Sequence, residues 1–185
     1  MLEKIENITK EDAFKIKLPR HIALTMNGIE AWAKKNKVNL EDANNRSFLI
    51  LKSTIKTQIK LGIPILTFYL LPESIDRNSE SYDQTLNSII NLFAELPSSE
   101  LINKNKIKIS VLGKWYDLPG RIVDVVKKAI EATKDYDGFF LNFCVNYNGQ
   151  QEIVDACKLI AMNIKAGKID PEMITKDTIK ENLYA

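Results

Sequence analysis

Four short apolar runs, parted from one another by stretches of helical periodicity, constrain this chain more than anything else in it. The first is entered from Phe14 and ends at Met26, the second runs from Ile63 to Leu71, the third from Ile107 to Leu112 and the fourth from Phe139 to Tyr147. Each reads as a strand. Between them Glu30 to Asn36 and roughly Glu41 to Lys60 read as helices, with Gly62 as a C-terminal stop ahead of Pro64. Leu86, Ile89, Ile90 and Phe93 recur at helical spacing, as do Ile122, Val125, Val126 and Ala129. Such alternation predicts an α/β fold with a mostly parallel central sheet covered by helices. The run FFLNFCVNY, dense in aromatics, is expected at the centre of that sheet. A chain of 185 residues suits one domain with a sizeable core, so 1–185 is read as a single domain.

Composition works mainly by exclusion. Near-average apolar content (45%) with few Gly and Pro argues for an ordinary globular protein. A formal net charge of +2 without a concentrated basic stripe gives no reason to expect nucleic acid. Met1 to Lys17 is charged throughout and shows no secretory pattern, so a cytoplasmic protein is expected. No apolar segment reaches spanning length, which leaves membrane contact peripheral at most. Cys144 in a buried strand and Cys157 on the core face of a helix read as packing residues rather than a disulfide or metal pair. His21, the single histidine, has no evident ligand partners, and a structural role is expected for it, with no metal site. Asn103 to Lys106 and Asp135 to Gly138 read as loops, and there is no internal repeat.

The most informative local stretch is HIALTMNGIEAWAKKNK, from His21 to Lys37, in which a strand feeds a helix N-terminus through the turn dipeptide Asn27–Gly28. That geometry places backbone N–H groups where an anion could sit. The segment resembles the signature of the cis-prenyltransferases, the undecaprenyl diphosphate synthase family, in which a histidine-led strand runs into MDGNGRWA and a basic helix. Here the motif reads MNGIEAWA: Met26, Gly28, Trp32, Ala33, Lys34 and Lys35 match. The family's aspartate is Asn27, its second asparagine Ile29, its second glycine Glu30 and its arginine Ala31. The resemblance implies that the aspartate helps place magnesium and diphosphate, while the following Gly and Arg hold the allylic diphosphate. A neutral amide brings no anionic charge to a hard cation, and alanine removes a bidentate phosphate donor. Glu30 is expected to add a repelling charge beside the diphosphate.

Further matches extend the likeness. Counting from Trp32, the family's later arginine and histidine fall on Leu40 and Asn44; nearby Arg46 either restores one cation in a shifted register or is a solvated helix-face residue. Leu66, Thr67 and Tyr69 match the second family strand, and PESIDR keeps Glu73 and Arg77 at the family's four-residue separation, with Ser74 and Ile75 in place of asparagine and tryptophan. The alternative for this stretch is a plain turn and helix cap. NYNGQQEI resembles the family's NYGGR-x-EI through Asn146, Tyr147, Gly149, Glu152 and Ile153, with Gln150 replacing arginine. Asn27, Gly28, Trp32, Glu73, Arg77, Asn146, Tyr147 and Gly149 are therefore the candidate substrate-binding residues, none of them a confident catalytic group. By resemblance, Phe48, Leu51, Ile55, Leu86, Ile90 and Phe93 are candidate walls of the family's prenyl tunnel; the same stripes suit plain core.

The likeness runs from about Pro19 to Tyr184, and the domain is read as lacking the family's C-terminal third. The resemblance implies a degenerate homologue: a non-catalytic subunit or regulator of a polyprenyl diphosphate synthase, paired with a full-length cis-prenyltransferase or self-associating. Two other readings stay open, an active prenyltransferase on isoprenoid diphosphates with an altered site and a prenyl-chain binding protein. No cofactor is expected, with Mg2+ required if the chain is active. An open apolar cleft would favour binding or catalysis, and a plugged tunnel the scaffold role.

Overall fold

The computed structural model describes residues 17–184. The charged segment read as free of a secretory pattern lies outside them, apart from Lys17. Along the chain run β1 (His21–Thr25), α1 (Ile29–Asn36), α2 (Leu40–Leu61), β2 (Ile65–Pro72), α3 (Glu80–Glu95), α4 (Glu100–Lys104), β3 (Ile107–Leu112), α5 (Gly120–Thr133), β4 (Phe139–Tyr147), α6 (Gly149–Lys165) and α7 (Lys176–Glu181). Among the described residues the sheet has four strands in the order β1-β2-β4-β3, and each of these pairings is parallel. β4 is interior, as its aromatic density suggested. Both β3 and β4 occupy the residues expected of them.

Local chemistry explains the element ends. Asn39 caps α2, its side-chain oxygen accepting from the Asp42 N–H at 2.7 Å, and Gly62 closes the helix in the left-handed region at φ 68°. Ser79 caps α3 by accepting from the Tyr82 N–H, so this helix starts a turn before the apolar periodicity became legible. Ser99 caps α4, which takes Asn103 and Lys104 out of the loop expected there. Asp135 to Gly138 is loop, as read.

One face of the sheet holds the core. Leu141, Phe143 and Val145 of β4 are wholly buried and meet Leu51 and Ile55 of α2, Leu86, Ile89 and Phe93 of α3, and Ile122, Val126 and Ala129 of α5 in one cluster. The opposite face is more polar and only partly covered. There His21 Nε2 pairs with Thr67 Oγ1 at 2.8 Å, Asn142 Nδ2 donates to the same oxygen at 3.3 Å, and Phe140 is 37% exposed. His21 thus has the structural partner that its lack of ligands suggested. Strand alternation puts Cys144 on this second face, near Glu152 of α6.

Cys157 corrects an expectation: it is exposed. The buried stripe of α6 is Glu152, Ala156 and Ile160, spaced four apart, and Cys157 is turned a further ~100° away. Burial pushes the Cys144 thiol up to about 11, so it remains a protonated packing group. No described helix is long and apolar enough to cross a membrane.

Candidate functional site

The registers Thr25↔Tyr69, Tyr69↔Cys144 and Leu112↔Cys144 bring the carboxyl ends of all four strands to one edge of the sheet. Loops at that edge of an open parallel sheet are where ligands bind. After β1 the chain turns through Asn27 and Gly28; the Met26 N–H is held by Tyr69 O at 3.3 Å, and the Trp32 N–H closes the first helical bond to Gly28 O at 2.8 Å. Gly28 sits at φ 90°, in the left-handed region that disfavours a side chain, although the space around it is open.

Between this turn, α1, α2 and the first two strands lies a cleft of about 680 Å³. Its wall is apolar, formed by Leu24, Met26, Ile29, Trp32, Leu49, Ile50, Leu51 and Phe68, with Asn27, Ser47 and Thr54 as neutral polar groups. Among the described residues no carboxylate lines it and its one cation is Arg46, whose guanidinium lies 5.6 Å from the centroid of the Trp32 ring. Arg46 is exposed on α2 and borders the cleft, which is compatible with either reading of it. Asn44 is instead buried on α2 and lines neither cavity.

Glu30 faces elsewhere. With Ala33, Lys34 and Lys37 it lines a separate cavity of about 460 Å³ toward the starts of α2 and α3, across α1 from Gly28, Ile29 and Trp32. The expected repulsion between Glu30 and an anion at the turn is therefore not built into the cleft. Ala31, at the family's arginine position, is exposed and lines neither cavity. The tunnel candidates need a larger correction, since only Leu51 borders the cleft. Ile55, Leu86 and Phe93 are fully buried core, and Phe48 and Ile90 pack partly buried against it. The cleft wall on α2 is its outward side, Leu49 and Ile50, which are 66% and 65% exposed.

The remaining candidates gather at the ends of β2 and β4. Arg77 Nη2 reaches Asn146 Oδ1 at 3.4 Å, and the Asn146 amide donates to Lys114 O at 2.8 Å. Asn146 is buried at φ 50°, a conformation asparagine tolerates better than most residues. The Glu73 N–H donates to Tyr147 O at 3.2 Å, as does the Tyr69 hydroxyl at 2.6 Å. Gly149 opens α6, capped by Asn148, which accepts from the N–H groups of Gln150 and Gln151.

Four members of this network escaped the sequence reading: Lys114, Glu152 as a charge, Asp155 and Tyr184. Lys114 Nζ pairs with Asp155 Oδ2 at 2.8 Å; the Tyr184 hydroxyl donates to the same oxygen, and its N–H donates to Glu152 Oε1 at 2.6 Å. Glu152 also accepts from the Tyr147 hydroxyl at 2.7 Å, which with burial holds that phenol well above its usual range. The available signal was Gly113–Lys114, a glycine and a cation directly after a parallel strand. An added Cβ at Gly113 would lie 2.6 Å from Val145 O, so the chain leaving β3 can pass this close to β4 only with glycine at that position.

Lys114, and after it Tyr184, hold the Asp155 carboxyl down to about 2, against an ordinary value of 3.8. The depressed folded-state value means that this contribution to stability is present above pH ~4 and is lost as pH falls toward ~2. Asp155→Asn should remove that acid-dependent component and flatten the urea-midpoint profile between those pH values; a profile parallel to the parent's would refute the assignment.

Magnesium fits this donor set poorly. The cleft offers the Asn27 amide, hydroxyls and carbonyls but no carboxylate, and the described residues contain no cluster of three or more His, Cys, Asp or Glu able to hold a metal.

The motif residues that carried the family likeness, Asn27, Gly28 and Trp32, thus meet at a strand-to-helix turn bordering an apolar cleft. The sequence profile described as putative undecaprenyl diphosphate synthase matches residues 25–185, and the chain belongs to that family, the cis-prenyltransferases. It is 31% identical over 185 residues to the tritrans,polycis-undecaprenyl-diphosphate synthase (geranylgeranyl-diphosphate specific) of Methanocaldococcus jannaschii, covering 100% of this chain and 66% of that protein. It is 30% identical over 169 residues to the human dehydrodolichyl diphosphate synthase complex subunit DHDDS, covering 90% of this chain and 51% of the human one. In fold it resembles lavandulyl diphosphate synthase from Lavandula x intermedia, solved with dimethylallyl diphosphate, with a TM-score of 0.84 at 24% identity over 90% of this chain and 71% of that one. The chain spans just under two thirds of the length of its archaeal relatives.

Proposed function

We propose that this chain binds an isoprenoid phosphate without elongating it, acting as a non-catalytic member of the cis-prenyltransferase family. One observation carries the reading: the cleft is open and apolar, sized like a small-molecule site, while the turn at its head presents Asn27 and Ala31 where the family resemblance implies aspartate and arginine. Apolar walls stabilise a prenyl chain by about 25 cal/mol per Å² buried. Elongation needs more, because two diphosphates must be neutralised and positioned together. Of the described strand-end cations, Lys114 is paired with Asp155, and Arg77 makes a long 3.4 Å contact to Asn146.

The test is the purified chain with farnesyl diphosphate, labelled isopentenyl diphosphate and magnesium. The expected result is no elongated product, together with measurable binding of farnesyl compounds that Ile50→Arg abolishes. Steady turnover lost on mutating Glu73 or Arg77 would establish the active-enzyme reading instead.

A heteromeric role has separate support in β1. It is an edge strand whose residues are mostly exposed, Leu24 among them, and such an edge is a template for another chain. Co-expression with a full-length family member should give a stable 1:1 species by size exclusion. Two independent peaks would remove this second reading.

A further inference from the structure

The cleft's charge content defines its ligand more narrowly than the family does. We infer that it takes an isoprenoid bearing a single phosphate group, held by Arg46 without a divalent ion. This inference rests on the proposed isoprenoid binding and specifies its headgroup.

Among the described residues Arg46 is the only cation bordering the cleft; it is exposed, forms no hydrogen bond or ion pair with them, and lies over the Trp32 ring. At 5.6 Å from the ring centroid the guanidinium is within cation–π range of the indole, and its N–H donors stay open. A planar fork of that kind satisfies one phosphate through two parallel N–H···O bonds. Among the described residues a second phosphate would meet no further cation lining the cleft, and no carboxylate of the wall would help hold a magnesium ion against it. Ser47 and Thr54 offer only neutral hydroxyls. Charge balance therefore favours the monoester over the diphosphate, and recognition of its head should not depend on metal.

Packing rather than sequence order decides where this cation lies. The lost arginine would have come from the turn at Ala31, whereas Arg46 comes from the second turn of α2 and reaches the cleft only because α1 and α2 pack side by side.

Calorimetric titration of the full chain with farnesyl monophosphate, farnesyl diphosphate, farnesol and inorganic phosphate, each with EDTA and with magnesium, tests this. Farnesyl monophosphate should bind in EDTA with an affinity that magnesium alters by less than about twofold, and the diphosphate should bind no more tightly. Arg46→Gln should weaken the monophosphate by about tenfold or more and leave farnesol unchanged, with Arg46→Lys partly restoring it. Inorganic phosphate alone should bind far more weakly than the farnesyl ester. If farnesyl phosphates bind but depend on magnesium, or are indifferent to Arg46→Gln, the single-phosphate inference fails while isoprenoid binding stands. If no farnesyl compound binds, farnesol included, the isoprenoid reading itself fails.

Discussion

Phe143→Ala should cost about 3–5 kcal/mol of folding stability, near the upper end for a single aromatic truncation. Phe143 is wholly buried on the interior strand β4, edge-on to Phe93 at 5.1 Å and stacked near Phe68 at 6.1 Å. Truncation removes the transfer term and leaves a cavity walled by residues of both sheet and helices, which cannot collapse into it together. Each aromatic pair adds about 0.5–1.5 kcal/mol beyond area burial. A domain with a total stability of roughly 5–15 kcal/mol would then be close to its threshold. Phe140, three residues earlier in β4, lies on the opposite face and is 37% exposed, so Phe140→Ala should cost much less. Denaturant unfolding of the two variants is the comparison. Equal losses would mean that the core does not lie on the face assigned to it.

That contrast also shows what the sequence could and could not reveal. Phe139 to Tyr147 and Ile107 to Leu112 were legible because each apolar run is bounded by turn residues and its side chains alternate between faces. The helices of α2 and α3 were legible from their spacing and caps. Their division of labour was not: a 3.6-residue period marks which residues share a face, yet it is silent on whether that face meets a sheet or an open cleft. Leu86 and Phe93 became core, whereas Leu49 and Ile50, off the periodic stripe, became cleft wall.

The site was legible wherever its parts are close in sequence. Asn27, Gly28 and Trp32 lie within one turn and helix, and all three border the cleft. Arg46 over Trp32, Lys114 on Asp155, and Tyr184 on Glu152 join residues that only packing brings together. Gly113 is intermediate. Its glycine is visible in the sequence, but the close approach to Val145 that requires it depends on β3 crossing to the far side of β4.

Asn27→Asp with Ala31→Arg should create magnesium-dependent affinity for farnesyl diphosphate, strengthening it by roughly tenfold to a hundredfold for one or two charge-assisted contacts. Asn27 borders the cleft directly, and residue 31 lies one helical turn beyond Gly28, so an arginine there can reach back over the turn. Glu30 can be left in place, because it faces the other cavity. The single variants separate the two roles by sign. Asn27→Asp alone adds a negative charge to the head of the cleft, so in EDTA it should weaken binding of any prenyl phosphate; with magnesium the same carboxylate should strengthen diphosphate binding by supplying a hard oxygen ligand. Ala31→Arg alone should strengthen binding in both conditions. Product should still be undetectable with isopentenyl diphosphate, since neither substitution supplies a cation for the second diphosphate and Lys114 remains paired with Asp155. Titration of the parent, the two single variants and the double variant, each in EDTA and with magnesium, reads these binding effects together. If magnesium fails to reverse the sign of the Asn27→Asp effect, the turn is not where the phosphate head lies, and if the double variant elongates, the missing charges at this one turn were all that separated the chain from catalysis.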